Sequence, residues 1–169
     1  MLNDHIIVRP EAPSDISAIR SATDSAFDRP DESAIVDALR GSDSWLDLSY
    51  VAVDESRSSA VIAHAMLTRC RVGDAAGVCL APCSVLPSHQ RSGVGGAVIE
   101  ALLAEAARRD EDFAVVLGHP GYYPRFGFLP ASTFGISLHV DVPDEALMAM
   151  PLTGEVPAGA LRFAPEFGV

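Results

Sequence analysis

The stretch VLPSHQRSGVGGA, residues 85–97, joins two segments of different patterning. Residues 78–85 form a short apolar run that suits a strand, and residues 93–109 carry apolar side chains at helical spacing. A helix that begins in such a turn offers free backbone N–H groups and the positive end of its dipole to a phosphate. Glycine lets the backbone approach an anion closely. The stretch therefore predicts a phosphate site, although a glycine-rich turn without a ligand has the same pattern.

Two other phosphate-binding motifs fit this stretch poorly. A dinucleotide fingerprint of the form G-x-G-x-x-G needs glycine where the chain has Val98, and an acidic residue after the next strand, which ends in Leu117 and Gly118. A Walker A loop needs a lysine on the phosphates. All 12 basic residues of the chain are arginines, so a Walker A loop and a Schiff-base lysine are both excluded.

The patterning of the whole chain predicts an α/β fold, with helices flanking a mixed sheet. Strands are predicted at 6–8, 48–53, 60–72, 78–85 and 113–117, with short candidates at 134–138 and 161–163. Helices are predicted after a cap at Ser14 or Asp15, from a cap at Asp31 to Gly41, and over 93–109, with a helical turn at 122–126. Pro82 lies inside a predicted strand, which indicates a bulge or an unpaired edge.

Composition narrows the class of protein. The chain has 169 residues, 49% of them hydrophobic, which suits a single domain spanning residues 1–169. It shows neither a signal peptide nor an apolar run of membrane-spanning length, so we expect a cytoplasmic protein without a membrane partner. The net charge of −11 argues against nucleic acid as a partner. The three cysteines and five histidines match no zinc or disulfide pattern, so no metal is expected.

Two motifs in this chain resemble those of one enzyme family. Gln90-x-x-Gly93-x-Gly95 is similar to the Q/R-x-x-G-x-G/A motif of the GNAT superfamily of N-acetyltransferases. The segment YYPRFGF, residues 122–128, resembles the Y-x-x-x-G-F segment that follows the next strand in that superfamily. The segment LGHPGYYPRFGFLP, residues 117–130, resembles the corresponding sequence in a bacterial branch of predicted N-acetyltransferases, the YhbS-like proteins. The resemblance covers nearly the whole chain.

The resemblance implies a GNAT fold with about six to seven strands, in which the fourth and fifth strands splay apart to admit acetyl-CoA as co-substrate. It implies that the backbone at Cys83 and Val85 meets the acetyl and pantetheine groups. The pyrophosphate is then expected at the amides of Gln90, Arg91, Ser92, Gly93, Val94, Gly95 and Gly96. The chain departs from the family pattern at Ser92, where Arg or Lys is common, and at His119, where the branch commonly has Asp.

Direct acetyl transfer needs an acid for the departing thiolate and a route for the amine proton. Tyr123 is the candidate acid, with simple packing as the alternative, and Tyr122 is expected in the core. His119 is a candidate base, although it is equally explained as a loop histidine. His64 is a weaker candidate and is better explained as a core histidine. Cys83 as an acyl-accepting nucleophile is a further, less favoured alternative.

The resemblance therefore implies an N-acetyltransferase that moves an acetyl group from acetyl-CoA to a primary amine of a small molecule or a protein. The acidic composition serves solubility and also suits a cationic acceptor. The alternative is a non-catalytic acyl-CoA sensor or regulatory module, which has no need of an acid at Tyr123. Dimers are common among proteins of this kind, which makes a homodimer the candidate assembly.

Overall fold

The computed structural model describes residues 2–169, which form three helices and nine strands. The helices are α1 (Ile16–Phe27), α2 (Asp31–Arg40) and α3 (Val94–Arg108). The strands are β1 (Ile6–Pro10), β2 (Trp45–Asp54), β3 (Ala60–Val72), β4 (Ala75–Val85), β5 (Phe113–Leu117), β6 (Leu129–Pro130), β7 (Ile136–Ser137), β8 (Leu147–Pro151) and β9 (Gly159–Arg162). Single helical turns fill several of the connections, including Pro87–His89 and Tyr123–Phe126.

The strands form a mixed sheet, as predicted. Seven of them lie in the order β1-β2-β3-β4-β5-β8-β6, and β9 joins the far end of β3 and pairs with β7. The pairings β4–β5 and β7–β9 are parallel, and the others are antiparallel. The total of nine strands exceeds the predicted six to seven, because the two-residue strand β6 and strand β8 were not foreseen.

Strand β4 bends at Pro82 and separates from β5. Its register with β3 shifts between Ala65 and Leu67, opposite Ala81 and Pro82, which confirms the predicted bulge. Strand β4 pairs with β5 at two positions, Val78↔Ala114 and Cys79↔Val115. From there to Val85 it has no β5 partner, which confirms the predicted splay. The bulge also shifts the side-chain alternation, so that Cys83 and Val85 pack towards the same core as Leu80.

The two faces of the sheet carry different layers. Helix α3 buries Val98, Ile99 and Leu102 against one face, in the largest core cluster. Helices α1 and α2 cover the opposite face of β2 and β3 through Ile19 and Val36. Beyond them the chain segments around β7 and β9 cover that same face of β4, β5 and β8. No helix within residues 2–169 is both long enough and apolar enough to cross a membrane.

The starts of the first two helices differ from the prediction. Asp15 stands at the N-cap of α1, but its carboxylate accepts from the backbone N–H of Ala12 at 2.7 Å and from Arg9, and does not cap the helix. Pro30 occupies the N-cap of α2, so Asp31 is already the first helical residue. The carboxylate of Asp31 therefore contributes its charge to the first turn without making a cap hydrogen bond.

Candidate active site

A cleft of ≈ 660 Å³ opens where β4 and β5 diverge and α3 begins. Strand β4 contributes one wall, the turn into α3 a second, and the chain after β5 a third. The lining residues are Cys83, Val85, His89, Gln90, Arg91, Gly93, Gly95, Gly96, His119, Gly121, Tyr122, Tyr123 and Arg125.

The structure brings most of the sequence-predicted site residues together in this cleft, and leaves two outside its lining. Ser92 turns away, because its hydroxyl donates to the backbone carbonyl of His89. The side chain of Val94 is fully buried in the core beneath α3. The side chain of Val94 is therefore closed to a ligand, and the resemblance implies that the backbone of the whole segment meets the ligand.

The N-terminus of α3 lies open to the cleft. Gly93 holds the N-cap position with φ of 87°, in the left-handed region that favours glycine, and no side chain caps the helix. The N–H of Ala97 bonds back to Gly93 O at 3.1 Å, so the amides of Val94, Gly95 and Gly96 form the first turn. A Cβ on Gly95 would approach Val85 Cγ2 to 2.9 Å. Glycine at 95 therefore lets the helix start lie against β4.

Basic side chains line the cleft. They are Arg91, Arg125, His89 and His119, and no carboxylate among residues 2–169 lines it. The Arg125 guanidinium lies 4.3 Å from the centre of the Tyr122 ring, and its Nε donates to the Tyr122 carbonyl at 2.8 Å. On a chain of net charge −11, this local excess of positive charge favours an anionic ligand.

The half-buried Tyr123 lies in the cleft at the end of β5. Its ring packs edge-on against Tyr122 and Phe128, with centroids 5.1 and 6.1 Å away. A Cβ on Gly118 would come within 2.4 Å of this ring, so glycine at 118 makes room for it. Burial raises the pKa of Tyr123 above its usual 10.0. The phenol is therefore protonated at neutral pH and able to donate a proton.

Tyr122 is not the core residue that the sequence predicts. It is half-buried, it lines the cleft, and its hydroxyl lies 3.5 Å from where a Cβ of Gly95 would stand. The hydroxyl therefore faces the open end of α3. The side chain still packs partly against the core beneath α3, since its ring is large enough to do both.

Cys83 and His119 have contrasting environments in the cleft. Burial raises the pKa of the Cys83 thiol to about 12, so it is not ionised at neutral pH. This disfavours Cys83 as a nucleophile and leaves its position explained by its backbone. His119 is exposed beside Tyr123, at the mouth of the cleft. Within residues 2–169, no group of three or more His, Cys, Asp and Glu side chains is placed to hold a metal ion.

Sequence reasoning missed four lining residues: His89, Gly121, Tyr122 and Arg125. All four lie beside or within the two quoted motifs, so their proximity to predicted residues was the available signal. Arg125 occupies a variable position of Y-x-x-x-G-F, and only the helical turn at Tyr123–Phe126 brings its side chain back over Tyr122.

His64 belongs to a buried polar network on the opposite face of the sheet. Its Nε2 lies 2.8 Å from Ser49 Oγ, and Ser49 donates to Glu11. Arg40 holds Glu11 with two bonds of 3.0 and 3.1 Å. Burial opposes ionisation of Glu11, but the His64 ring 3.7 Å away and the hydrogen bonds from Arg40 and Ser49 outweigh it and lower the pKa to about 2. Burial lowers the pKa of His64, which is therefore a neutral core histidine.

This network predicts that acid destabilises the fold. The unfolded chain binds a proton at His64 near its ordinary pKa of 6.5, whereas the folded chain does not, so stability falls as the pH drops through that value. A second loss follows between 4.5 and about 2, as Glu11 is protonated in the unfolded chain first. We expect urea unfolding of His64→Asn to show a flatter dependence on pH from 7.5 to 5.5 than the parent. An unchanged slope would contradict the buried neutral state.

The divergent strands, the uncapped helix and the basic side chains form a cleft whose shape and charge suit an elongated anion beside an open strand edge. No family model matches the chain. A curated relative, the uncharacterized N-acetyltransferase YjhQ of Escherichia coli strain K12, is 31% identical over 154 residues, 83% of each chain. A GNAT family acetyltransferase from Brucella melitensis, solved in complex with acetyl-CoA, has a TM-score of 0.81 and 30% identity, and the match covers 98% of this chain and 99% of that one.

YhbS from Escherichia coli, a GNAT family N-acetyltransferase solved with CoA, has a TM-score of 0.90 at 22% identity, and the match covers 98% of this chain and 93% of its own. The chain belongs to the GNAT superfamily of N-acetyltransferases, as its two motifs predict.

Proposed function

We propose that this chain transfers the acetyl group of acetyl-CoA directly to a primary amine. The observation that carries the proposal is the positively charged cleft at the divergence of β4 and β5, into which the uncapped start of α3 opens. The Brucella melitensis relative was solved with acetyl-CoA and YhbS with CoA, which supports this choice of ligand.

The pyrophosphate would lie at the first turn of α3, where the amides of Val94, Gly95 and Gly96 have no side-chain cap. Arg91 and Arg125 would add positive charge on either side. The pantetheine arm would run along the edge of β4 that β5 leaves unpaired, in the manner of an added strand. This places the thioester near the backbone of Cys83, between β4 and Tyr123.

The reaction joins the amine nitrogen to the thioester carbonyl carbon and breaks the carbon–sulfur bond. A backbone N–H of β4 would stabilise the oxyanion of the tetrahedral intermediate. The departing thiolate would take its proton from the Tyr123 hydroxyl. His119 stands at the cleft mouth, where it is a candidate to take the amine proton, with a chain of water molecules as the alternative route.

The acceptor would be a small molecule or a protein amine. The enzyme would act in the cytoplasm as a homodimer. The alternative function, an acyl-CoA sensor, predicts binding without turnover. Release of free thiol from acetyl-CoA in the presence of an amine panel separates the two, because a sensor releases none above the hydrolytic background.

Saturating acetyl-CoA is expected to raise the melting temperature. A ligand that binds only the folded state stabilises it by about 2.7 kcal/mol at 100 times its Kd. For a chain of this size, that corresponds to a shift of roughly 5–10 °C by differential scanning fluorimetry. Pantetheine, which lacks the phosphates, is the control and should shift the melting temperature far less. An unchanged melting temperature at millimolar acetyl-CoA would overturn the proposed function.

A further inference from the structure

A small cavity lies at the edge of β3, in a gap between the start of β2 and the end of β9. Strand β2 pairs with this edge as far as Trp45↔Thr68, and β9 pairs with it again at Arg71↔Arg162. Neither strand pairs with the two residues of β3 that lie between Thr68 and Arg71. The gap has a volume of ≈ 170 Å³ and shares no lining residue with the cleft.

Three arginines and Ser44 line this gap, which we call the edge cavity, and no carboxylate among residues 2–169 lines it. Arg69 is already neutralised, because it holds Glu111 with two bonds of 2.7 and 2.8 Å. Arg71 and Arg162 donate instead to two consecutive backbone carbonyls in the β3–β4 turn, at 3.2 and 2.8 Å. A carbonyl carries no full charge, so two positive charges beside the cavity are left without a counter-charge.

The position of Arg71 relative to Arg162 is unfavourable unless an anion lies near both. The two residues stand directly opposite each other in the antiparallel β3–β9 ladder. The Cβ atoms of directly opposite residues are about 4.5–5.5 Å apart, and like charges placed there destabilise a sheet. Both guanidiniums reach the same turn, which keeps them on the same side of the ladder. An anion held between them would remove the repulsion.

The arginines that lack a carboxylate partner are gathered in two places. Within residues 2–169, salt bridges hold eight of the 12 arginines. Of the four others, Arg91 and Arg125 line the cleft. Arg71 and Arg162 line the edge cavity. On a chain of net charge −11, partners for these four would be plentiful, so their shared placement in cavities indicates an anion at each.

We propose that the edge cavity binds one phosphate group, either as free phosphate or as the end of a small phosphate monoester. Guanidinium groups match the geometry of phosphate and bind it through charge-assisted hydrogen bonds. Ser44 would add a hydroxyl donor, and Phe163 and Pro165 offer an apolar wall to the ester group. The volume is several times the roughly 30 Å³ of one liquid water molecule, which leaves room for a tetrahedral oxyanion.

The bound phosphate would tie β9 to β3. The ladder between these strands has two residue pairs, and one of them is the pair of arginines. Strand β9 leads into the last segment of the chain, so the phosphate would also stabilise the attachment of that segment to the sheet. The site lies outside the cleft and goes beyond the proposed function.

Titration of inorganic phosphate into the CoA-saturated protein tests the site, because CoA in the cleft keeps phosphate away from Arg91 and Arg125. Amide NMR spectra at constant ionic strength are expected to show saturable shifts at Arg71, Arg162 and Phe163. Chloride in place of phosphate should produce no saturable shift. Shifts confined to the start of α3, or no shift, would overturn the site. Absence of CoA binding in the same spectra would instead overturn the proposed function.

Phenyl phosphate distinguishes the two sources of the phosphate group. A Kd at least about tenfold below that of inorganic phosphate is expected for a monoester site, because contact of the ring with the apolar wall adds affinity. Equal Kd values would support free phosphate as the ligand. A failure of both compounds to bind would overturn the proposal.

Three single variants test the location. Arg71→Gln and Arg162→Gln are each expected to raise the Kd of phosphate at least about tenfold, the effect of losing one charge-assisted hydrogen bond, and to leave the Kd of acetyl-CoA unchanged. Arg108→Gln is the matched control, because it removes the same charge from a side chain that is 72% exposed and lines neither cavity. It should change neither Kd. Equal effects of all three variants would mean that phosphate responds only to net charge, and would overturn the site.

Discussion

Replacing Gly96 by glutamate is expected to abolish acetyl-CoA binding while leaving the protein folded. Gly96 lies in the first turn of α3 and lines the cleft. A Cβ there would meet nothing closer than Phe126 at 3.7 Å, an ordinary contact. The new carboxylate would face the proposed pyrophosphate site, and like charges placed together cost several kcal/mol. The Kd measured by calorimetry should therefore rise by at least about 100-fold.

Stability should move in the opposite direction from binding. Glutamate forms helix more readily than glycine by up to about 1 kcal/mol, and a negative charge suits the first turn of a helix. Gly96→Gln is the matched control, because it has nearly the same shape without the charge. A folded Gly96→Glu with parental affinity would show that the anion does not bind at this helix. The same change at Gly95 is less clean, since a Cβ at that position already presses on Val85.

Strands with a strong local preference for β-structure were predicted from the sequence, and a strand without that preference was not. Strand β5, at Phe113–Leu117, is an unbroken apolar run with β-branched residues, and its bounds are as predicted. Its neighbour β8 was missed, because Leu147–Pro151 contains no β-branched residue and ends in proline. Five paired residues along β5 nevertheless make it a strand, so here tertiary pairing overrides a weak local preference.

In the candidate site, too, local features were predicted and features that depend on tertiary structure were missed. The turn into α3 could be predicted, because glycine spacing and helix periodicity are local properties of the chain. A smaller cavity lined by Ala81, Leu117 and Phe163 could not be predicted, because these residues are far apart in sequence and come together only through the sheet topology. The open gap between β4 and β5 was predicted by resemblance, and Pro82 was its local sign. The directions of the Ser92 and Tyr122 hydroxyls could not be predicted either, because they depend on side-chain rotamers that the surrounding structure selects.

The second large effect is expected at Tyr123. Burial raises the pKa of the Cys83 thiol to about 12, and the departing CoA thiolate would leave into the same part of the cleft. Its proton affinity should rise for the same reason, beyond the value of about 8.5 for a thiol in water. Burial also raises the pKa of the Tyr123 phenol in the same cleft, so the phenol keeps its proton until the thiolate forms.

Tyr123→Phe is therefore expected to lower kcat by about 10² to 10⁴, the typical contribution of one general acid. The Kd of acetyl-CoA should hardly change, because the proton is needed only after attack has begun. The phenyl ring keeps its contacts with Tyr122 and Phe128, so the free energy of unfolding should change by no more than about 1–2 kcal/mol.

Tyr122→Phe is the matched control and should keep kcat near the parental value, since its hydroxyl faces the start of α3. The measurement is acetyl transfer to the best amine of the panel, with acetyl-CoA hydrolysis subtracted. Parental turnover by Tyr123→Phe, with chemistry shown to be rate-limiting, would mean that Tyr123 only packs the cleft and that water protonates the thiolate.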